Sequence, residues 1–433
     1  MTATPPDSVS PLATTFEGAA SPAPKPLPRV GALFIGVYAL AMFGIWMAIN
    51  LPATVTVALR IAELDPANKT TTYSLVAGIG TLVAVLANPF FGRLSDRTRS
   101  RFGRRRPWIV VGLAGTTVGA AVIGLSDSIP MLILGWVLMQ AFINAAIAAT
   151  LAIVADRIPE SQHGLVGALS GTAAAASTVV GIFFIQAFPT SILAQIGLPV
   201  AIAIVFGFAL VALMKDDKPA AGERTPFTLR EFAGSFYINP RKSPDFAWFL
   251  LAFFLINLGL GVIATYAVYY LQDQVKIAEA DLPGTLFVTF LLSGLVALLV
   301  APLAGWISDK TGRRKPLFIL AAVLMATGMG VIVLAQDATM FIIGQTLGAG
   351  LAAGILFGIY IAFAVATLKD TSTVGRDLGI VNIAFTLPFS LVPFAAPLLL
   401  GSGDDPNYLL LYIVGGILSL TCIPVLFKIR AAR

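Results

Sequence analysis

The sequence predicts an all-α integral membrane protein with twelve transmembrane helices in two similar six-helix halves. Hydrophobic residues make up 57% of the chain and charged residues 12%, against roughly 25% charged residues in soluble domains. The mean hydropathy is +0.88. A charged motif around Asp96 recurs around Asp309. A repeat at this distance predicts two related halves, and the composition excludes an ordinary soluble protein.

The first 28 residues precede the first apolar segment. They are rich in Pro, Thr, Ser and Ala and carry few charges. They lack a basic stretch followed by an apolar core, so they do not fit a secretory signal peptide. We expect residues 1–28 to form a disordered cytoplasmic tail.

Twelve apolar segments follow, each close to the roughly 20 residues that a helix needs to cross a bilayer. A helix is the expected conformation because lipid offers no partners for backbone N–H and C=O groups. The predicted spans are 30–57, 71–92, 108–126, 130–154, 164–187, 191–214, 246–271, 283–305, 317–335, 339–367, 378–400 and 407–428.

The longest connection divides these segments into two groups of six. We assign 29–214 to the first half, 215–245 to a cytoplasmic central loop, and 246–433 to the second half with a short tail. The sequence Thr-Leu-Arg-Glu at 228–231 has the spacing of a capping box. It predicts a short amphipathic helix in the central loop.

The basic residues predict the orientation. With both termini in the cytoplasm, all of the 28 Lys and Arg residues except Arg60, Lys69 and Lys276 fall on the cytoplasmic side. Positively charged loops stay in the cytoplasm. We therefore expect a multi-pass protein of the inner cell membrane with cytoplasmic N and C termini.

The composition also excludes several kinds of site. Cys422 is the only cysteine and His163 the only histidine, which excludes a disulfide framework and a Cys- or His-rich metal site. The apolar segments contain no paired acids and no nucleophile with a base, so we expect no enzymatic activity. No metal or cofactor is implied, and the net charge of +6 comes from loops rather than from a nucleic-acid-binding surface.

Residues 92–107, GRLSDRTRSRFGRRRP, hold the densest charge of the chain, with seven arginines and one aspartate. A second copy occupies 305–316, GWISDKTGRRKP. Both contain G-x-x-S-D followed by G-R-R-[R/K]-P, and the first copy has four extra residues between these blocks. Membrane topology explains the arginines, but it does not explain the recurring Ser-Asp or the shared ending.

This repeated motif resembles the loop signature of the major facilitator superfamily. The first copy resembles most closely the sucrose transporters and the glycoside–pentoside–hexuronide:cation symporters. The resemblance covers the whole chain at the level of the superfamily. It implies alternating access to a small solute through a cavity between two six-helix halves.

The resemblance also implies a cytoplasmic gate. In the superfamily the motif aspartate joins the two halves when the cavity faces outward. By this resemblance Asp96 would pair with Arg104 or Arg105. It would also approach the start of helix eleven, near Arg376 and Asp377.

The second copy implies an equivalent contact. Asp309 would pair with Arg313 or Arg314 and approach the start of helix five. These are expected to be gate residues rather than substrate ligands, because breaking such a contact shifts the populations of two conformations.

Acidic residues near the bilayer midplane usually mark proton or sodium sites, and no predicted helix carries one there. The nearest candidates for coupling are Asp156 and Glu160, at the cytoplasmic end of helix four. Proton symport, by analogy with the resembled branches, and facilitated diffusion both remain open.

In this fold, helices one, four, seven and ten line the central cavity. Their neutral amides can exchange hydrogen bonds with hydroxyl groups, and their aromatic rings can pack on the apolar face of a sugar. The same residue types also serve as helix-packing contacts and as interfacial belts. The candidate substrate ligands are Tyr38, Trp46, Asn50, Trp136, Gln140, Asn144, Asn257, Tyr266, Gln345 and Tyr360.

The favoured prediction is a monomeric secondary transporter of a neutral sugar or glycoside, working in the lipid bilayer, with protons as an optional coupling ion. One alternative is an exporter of lipophilic compounds. The typical drug-antiporter pattern is incomplete, since Trp136 stands where such proteins carry a helix-four arginine and 164–186 lacks their Gly-Pro motif. The other alternative is a non-transporting receptor or scaffold.

Overall fold

The computed structural model of the chain describes residues 28–214, 243–368, 374–401 and 406–430. Within these ranges the regular structure is helical, and twelve helices are long and apolar enough to span a membrane. The predicted fold class is confirmed. The helices are α1 (Ala32–Leu64), α2 (Lys69–Arg97), α3 (Arg106–Gly124), α4 (Ile129–Arg157), α5 (Glu160–Ala187), α6 (Ile192–Leu213), α7 (Pro244–Thr265), α8 (Leu282–Thr311), α9 (Lys315–Val333), α10 (Ala338–Thr367), α11 (Val374–Leu400) and α12 (Tyr408–Leu426).

Two predicted features lie outside the described residues. These are the N-terminal tail, up to residue 27, and the amphipathic helix predicted from 228–231 in the central loop.

Several helices run further than hydropathy predicted. α2 continues to Arg97 and α8 to Thr311, so the charged motif begins inside each helix. The hydropathy signal ends where the side chains become polar, but helical hydrogen bonding does not require apolar side chains once the chain has left the hydrocarbon. α1 continues to Leu64 through a wide π-helical turn at Pro52–Thr56. Proline has no N–H to donate, which favours a local change of hydrogen-bond register.

The predicted seventh span is broken near its end. α7 stops at Thr265, Tyr266 has the non-helical angles φ −104° and ψ 10°, and a short helix continues over Ala267–Asp273. The break directs the hydroxyl groups of Tyr266 and Tyr269 at the first half of the molecule, where they find partners on α2 and α1.

Glycine allows a close helix contact in each half. α3 packs on α4 so tightly that a Cβ atom on Gly119 would lie 2.5 Å from the backbone N of Met139. α9 packs on α10 in the same way, and a Cβ on Gly328 would lie 2.6 Å from the carbonyl O of Gly344. Small residues allow membrane helices to approach closely. The recurrence of this contact in equivalent helix pairs is what two repeated halves require.

The two halves meet along two helix pairs. α2 packs against α11, and α5 packs against α8. Gly78 of α2 accommodates the ring of Phe394, and the Phe183 and Phe287 ring centroids lie 6.3 Å apart between α5 and α8. These two helix pairs form the interface between the halves.

We predict that Gly119→Val lowers the free energy of unfolding by about 1–3 kcal/mol, because the new side chain overlaps backbone atoms that cannot move aside. Gly197→Ala is the matched control, since a Cβ at Gly197 would meet nothing within 4 Å. Thermal unfolding of the detergent-purified protein measures both changes. Equal melting temperatures for Gly119→Val and the wild type would show that α3 and α4 are not packed as described.

Candidate functional site

The polar connections define two ends of the molecule. We call the end with connections 98–105 and 312–314 the basic end. The opposite end carries 65–68, 274–281, residue 401 and residues 406–407. The distribution of Lys and Arg residues predicts that the basic end faces the cytoplasm.

At the basic end, the loop after α2 turns back on itself. The N–H of Gly103 donates to the carbonyl of Ser100 at 3.0 Å, and Gly103 has φ 97°. Such an angle favours glycine, because a Cβ atom would clash with the backbone. The four extra residues of the first motif copy fall in this loop, and the turn returns Arg104 and Arg105 to the ends of α2 and α4.

Arg105 is the centre of the resulting network, and only 5% of its side chain is exposed. Its Nη2 lies 2.5 Å from Asp96 Oδ1, and its Nε lies 2.8 Å from Asp156 Oδ2. Its Nη1 donates to the hydroxyl of Ser95 at 2.5 Å. Burial lowers the pKa of Arg105, but the hydrogen bond and charge of Asp156, together with Asp96, raise it more. The net pKa is raised, so the guanidinium stays charged at every physiological pH.

Asp156 belongs to this network and is not an isolated acid. Arg104 Nη2 lies 2.5 Å from its Oδ1, and Arg105 holds its other oxygen. Two arginines therefore face two aspartates across the ends of α2, the α2–α3 loop and α4. The network locks three elements of the first half together.

The second motif copy behaves differently. The predicted pairing of Asp309 with Arg313 or Arg314 is not formed in this conformation: Asp309 is exposed and makes no ion pair within the described part of the chain. The left-handed Gly312 (φ 65°) ends α8, and only three residues, 312–314, connect α8 to α9.

The partners expected from α5 and α11 are only partly described. The side chains of Glu160 and Arg376, and residue 164, lie outside the described set. Asp377, in the first turn of α11, is buried, with 5% of its surface exposed. A buried carboxylate at a helix N-terminus is favoured by the helix dipole.

At the opposite end, an ion pair joins the two halves. Lys69 Nζ, at the start of α2, lies 2.5 Å from Oδ1 of Asp273, which follows α7. The Tyr408 hydroxyl, at the start of α12, donates to the other oxygen of Asp273 at 2.7 Å. The Lys69 and Asp273 side chains are 21% and 19% exposed, so the pair is only partly screened by water.

Aromatic residues extend this contact towards the interior. The Tyr266 hydroxyl lies 2.7 Å from the Ser74 hydroxyl, and the Tyr269 hydroxyl donates to the Ala58 carbonyl at 2.9 Å. The ring of Tyr73 stands edge-on to the rings of Tyr266 and Tyr269, at 6.1 and 5.4 Å. We call Lys69, Tyr73, Ser74, Tyr266, Tyr269 and Asp273 the opposite-end latch.

Local sequence patterns identify only Tyr266 of this latch, as a candidate substrate ligand, and none of its other five residues. One signal was present, since Lys69 is among the three basic residues predicted away from the cytoplasm. Its partner Asp273 lies 204 positions away, and no local pattern connects the two.

The candidate substrate ligands of α4 lie on the side of the helix that packs against α2. Trp136 packs over Gly80, where a Cβ atom would lie 1.9 Å from the indole nitrogen. Asn88 Nδ2 of α2 donates to Asn144 Oδ1 at 3.3 Å. Gln140 lies between them on the same face and is 6% exposed. In this conformation Trp136, Gln140 and Asn144 lie along the contact between α4 and α2. Asn88 of α2 is a further amide at this contact, and no sequence pattern identified it.

The candidate substrate ligands of α1 are packed mainly against other helices of the first half. Tyr38 is fully buried and Trp46 is half-buried. Asn50 Nδ2 donates to the hydroxyls of Ser177 and Thr178 on α5, at 3.3 Å each. In this conformation Asn50 ties α1 to α5.

The second half brings candidate residues together on α7 and α10. The rings of Phe253 and Tyr360 stack with centroids 5.3 Å apart and planes within 1°, and Phe385 of α11 joins Phe253 at 6.3 Å. Asn257 lies one turn from Phe253 and donates its Nδ2 to the Phe253 carbonyl at 2.7 Å. Asn257 Oδ1 and Gln345 Oε1 are buried, and among the described residues neither has a hydrogen-bond partner.

Comparison with known proteins identifies relatives over most of the chain. A family model described as Major Facilitator Superfamily matches residues 31–349 and 282–433. A triacylglyceride transporter of Mycolicibacterium smegmatis is 30% identical over 228 residues, which cover 50% of this chain and 39% of that protein. The match thus spans about two fifths of that relative's length.

Other similar proteins differ in what their names say they act on. The class E tetracycline resistance protein of Escherichia coli is 27% identical over 296 residues, covering 67% of this chain and 69% of that protein. The proton-associated sugar transporter A of Homo sapiens is 45% identical over only 51 residues, 12% of this chain and 7% of that protein. The crystal structure of the nucleoside transporter NupG superposes with a TM-score of 0.71 at 9% identity, covering 92% of this chain and 99% of that one. This likeness concerns the fold alone.

We predict that Asp273→Asn opens the opposite end of the molecule. The ion pair with Lys69 is lost, and a partly exposed pair contributes up to about 1 kcal/mol, which shifts a two-state equilibrium roughly fivefold. The measurement is the distance distribution between spin labels at Ala67 and Ala278, both exposed, in a Cys422→Ser background. We expect the longer distances to gain population.

The control for this prediction is Glu63→Gln, which removes an ion pair with Arg60 at the same end but within the first half. The exchange of charges in Lys69→Asp with Asp273→Lys should restore the wild-type distances. An unchanged distribution in Asp273→Asn, or the same change in Glu63→Gln, would contradict a role for this pair in closing the opposite end.

Proposed function

Because this chain belongs to the Major Facilitator Superfamily and is a membrane transporter, we propose that it carries a small uncharged organic solute by alternating access. A neutral sugar or glycoside is the first candidate. The observation that carries this proposal is the amide of Asn257 beside the stacked rings of Phe253, Tyr360 and Phe385.

The hydrogen-bonding capacity of this region supports a solute with hydroxyl groups. Asn257 Oδ1 and Gln345 Oε1 are buried acceptors without partners in the described ranges. A buried polar group left unpaired costs about 1–3 kcal/mol. A hydroxyl group that donates to either oxygen would offset this cost, and the aromatic stack offers a flat apolar surface for the ring of a sugar.

The charge distribution supports a neutral solute. In the described helices the charged side chains lie near helix ends, and the middle of the molecule is lined by uncharged residues. An ionic solute would require an opposite charge or a set of aligned dipoles at the same depth. A neutral solute has no such requirement.

A second candidate is a lipophilic compound. Phe357 is 40% exposed, and its ring contacts Tyr360 and Phe385. Phe385 also contacts Phe389, so the aromatic surface extends along α10 and α11. Such a surface would also hold a large apolar solute, and two of the similar proteins are named for triacylglyceride transport and tetracycline resistance.

The two ends have distinct roles in this proposal. We place the basic end in the cytoplasm, so that the opposite-end latch closes the outer side of the cavity. The Arg105 network would keep the cytoplasmic end of the first half rigid while the halves move. We do not propose Asp156 as a proton carrier, because arginines hold both of its oxygens. Facilitated diffusion requires no proton-carrying side chain, whereas proton-coupled transport would require a titratable side chain other than Asp156.

The test is a thermal-stability screen of the detergent-purified protein with neutral mono- and disaccharides, glycosides and lipophilic drugs at two pH values. A ligand at about 100 times its dissociation constant adds roughly 2.7 kcal/mol to the free energy of unfolding. We predict that a sugar or glycoside raises the melting temperature and that Asn257→Ala removes this shift. Asn382→Ala is the control, since Asn382 is an exposed amide on α11.

The outcomes separate the two candidates. Stabilisation by lipophilic compounds alone would favour the exporter. A sugar shift that survives Asn257→Ala would exclude Asn257 as a ligand. Failure of every compound to stabilise the protein, together with no solute flux into vesicles, would favour a receptor or scaffold.

A further inference from the structure

A groove of about 580 Å³ lies at the opposite end of the molecule, between the end of α5 and the start of α8. Gln186 and Pro189 of the first half belong to one wall, and Pro283, Val288 and Ile342 of the second half belong to the other. Cavities of roughly 300–1,000 Å³ are typical of small-molecule sites. The groove therefore has the size of such a site and takes its walls from both halves.

The polar groups of the groove are available to a ligand. Asp281 carries the one charged side chain among the described lining residues. Its carboxylate neither caps α8 nor forms an ion pair or hydrogen bond with another described residue. Gln186 is exposed on the other wall, and its amide likewise has no partner in the described ranges. A carboxylate and an amide oxygen can both accept hydrogen bonds from an ammonium group.

The surroundings of Asp281 keep the local charge negative. The connection 274–281 carries one base, Lys276, and two acids, Glu279 and Asp281, whereas the connection 188–191 on the other side carries no charged residue. Lys276 and Glu279 do not line the groove. A negative potential in a concave site favours a cationic ligand over a neutral or anionic one.

The remaining surface of the groove suits an apolar ring. Pro189, Pro283, Val288 and Ile342 supply apolar side chains on both walls. Gly284, in the first turn of α8, has open space beside it, because a Cβ atom there would meet nothing within 4 Å. A ring that enters this space gains binding free energy in proportion to the apolar area removed from water.

We propose that this groove binds a small organic cation with an apolar ring. The ammonium group contacts Asp281 and Gln186, and the ring occupies the space beside Gly284. The candidate solute site around Asn257 shares no residue with the groove, so this binding does not depend on the identity of the carried solute.

Occupation of the groove opposes opening of the opposite end. The Phe183 and Phe287 ring centroids lie 6.3 Å apart, about one turn of α5 from Gln186. The groove therefore has both walls only while α5 and α8 remain together at this end. A ligand that contacts both walls stabilises the conformation in which they are together. It thus inhibits transport without competing for the solute site.

The test is a thermal-stability titration of the detergent-purified full-length protein. The probe is 2-(1-naphthyl)ethylamine, an alkylamine that is protonated at neutral pH. One comparison compound, 2-(1-naphthyl)ethanol, has the same ring and no charge, and the other, ethylamine, has the charge and no ring. We expect the probe to raise the melting temperature, the alcohol to bind about fivefold more weakly, and ethylamine to bind about tenfold more weakly or less.

Two pairs of variants locate the binding site. Asp281→Asn should weaken binding of the probe about fivefold, as expected for the loss of a partly exposed ion pair. Glu279→Gln is the matched control, because Glu279 is an exposed acid of the same connection. Gly284→Leu should fill the groove and weaken binding about tenfold, and leucine is well tolerated in a helix. Gly197→Leu is its control, because Gly197 lies near the start of α6 and a Cβ atom there would also meet nothing within 4 Å.

A distance measurement tests the effect on the opposite end. The starting point is Asp273→Asn, which is expected to open that end. Spin labels are placed at Ala67 and Gln274, both exposed, in a Cys422→Ser background. Saturating probe should return population to the shorter distances, and it should have no effect when Gly284→Leu is also present.

Four results would overturn the proposal. They are equal affinity for the amine and the alcohol, a loss in Glu279→Gln as large as in Asp281→Asn, unchanged affinity in Gly284→Leu, and a distance distribution that the probe does not change. The last result would show that the ligand does not bridge the two halves.

Discussion

The buried guanidinium of Arg105 is the constraint on which the basic end of the first half depends. A charge removed from water is tolerated only with compensating charge and hydrogen bonds, and Arg105 receives both from Asp96, Asp156 and Ser95. Meeting this need fixes the end of α2, the turn of the following loop and the end of α4 relative to one another.

Sequence patterns predicted the fold because its causes are local. The apolar length of each span and the placement of Arg and Lys residues are readable without knowing which helices touch. The motif likewise placed Asp96 and Arg105 together, since both lie in one short stretch. Trp136 is an example of a residue whose contacts local sequence patterns do not predict. A helix face of aromatic and amide residues fits a cavity and a neighbouring helix equally well, and Gly80, 56 positions away in sequence, provides the space that accommodates the indole.

The opposite-end latch was not predictable for the same reason. Lys69 and Asp273 belong to different halves, and their pairing depends on the break in α7 at Tyr266. The break also places the aromatic residues of this span in two different sets of contacts. Phe253 and Asn257 remain on the regular part and face α10 and α11, whereas Tyr266 and Tyr269 are turned towards the first half. One predicted helix therefore contributes both to the candidate solute site and to the contact between the halves at the opposite end.

The four extra residues in the α2–α3 loop make the two repeats mechanically unequal. The first half carries a cross-linked corner at its basic end, whereas Asp309 and the three-residue connection after α8 form no equivalent brace within the described structure. The basic end of the first half is therefore braced by ion pairs that have no counterpart at Asp309 within the described residues. Amide hydrogens around α2–α4 at this end should therefore exchange with solvent more slowly than those around α8–α10.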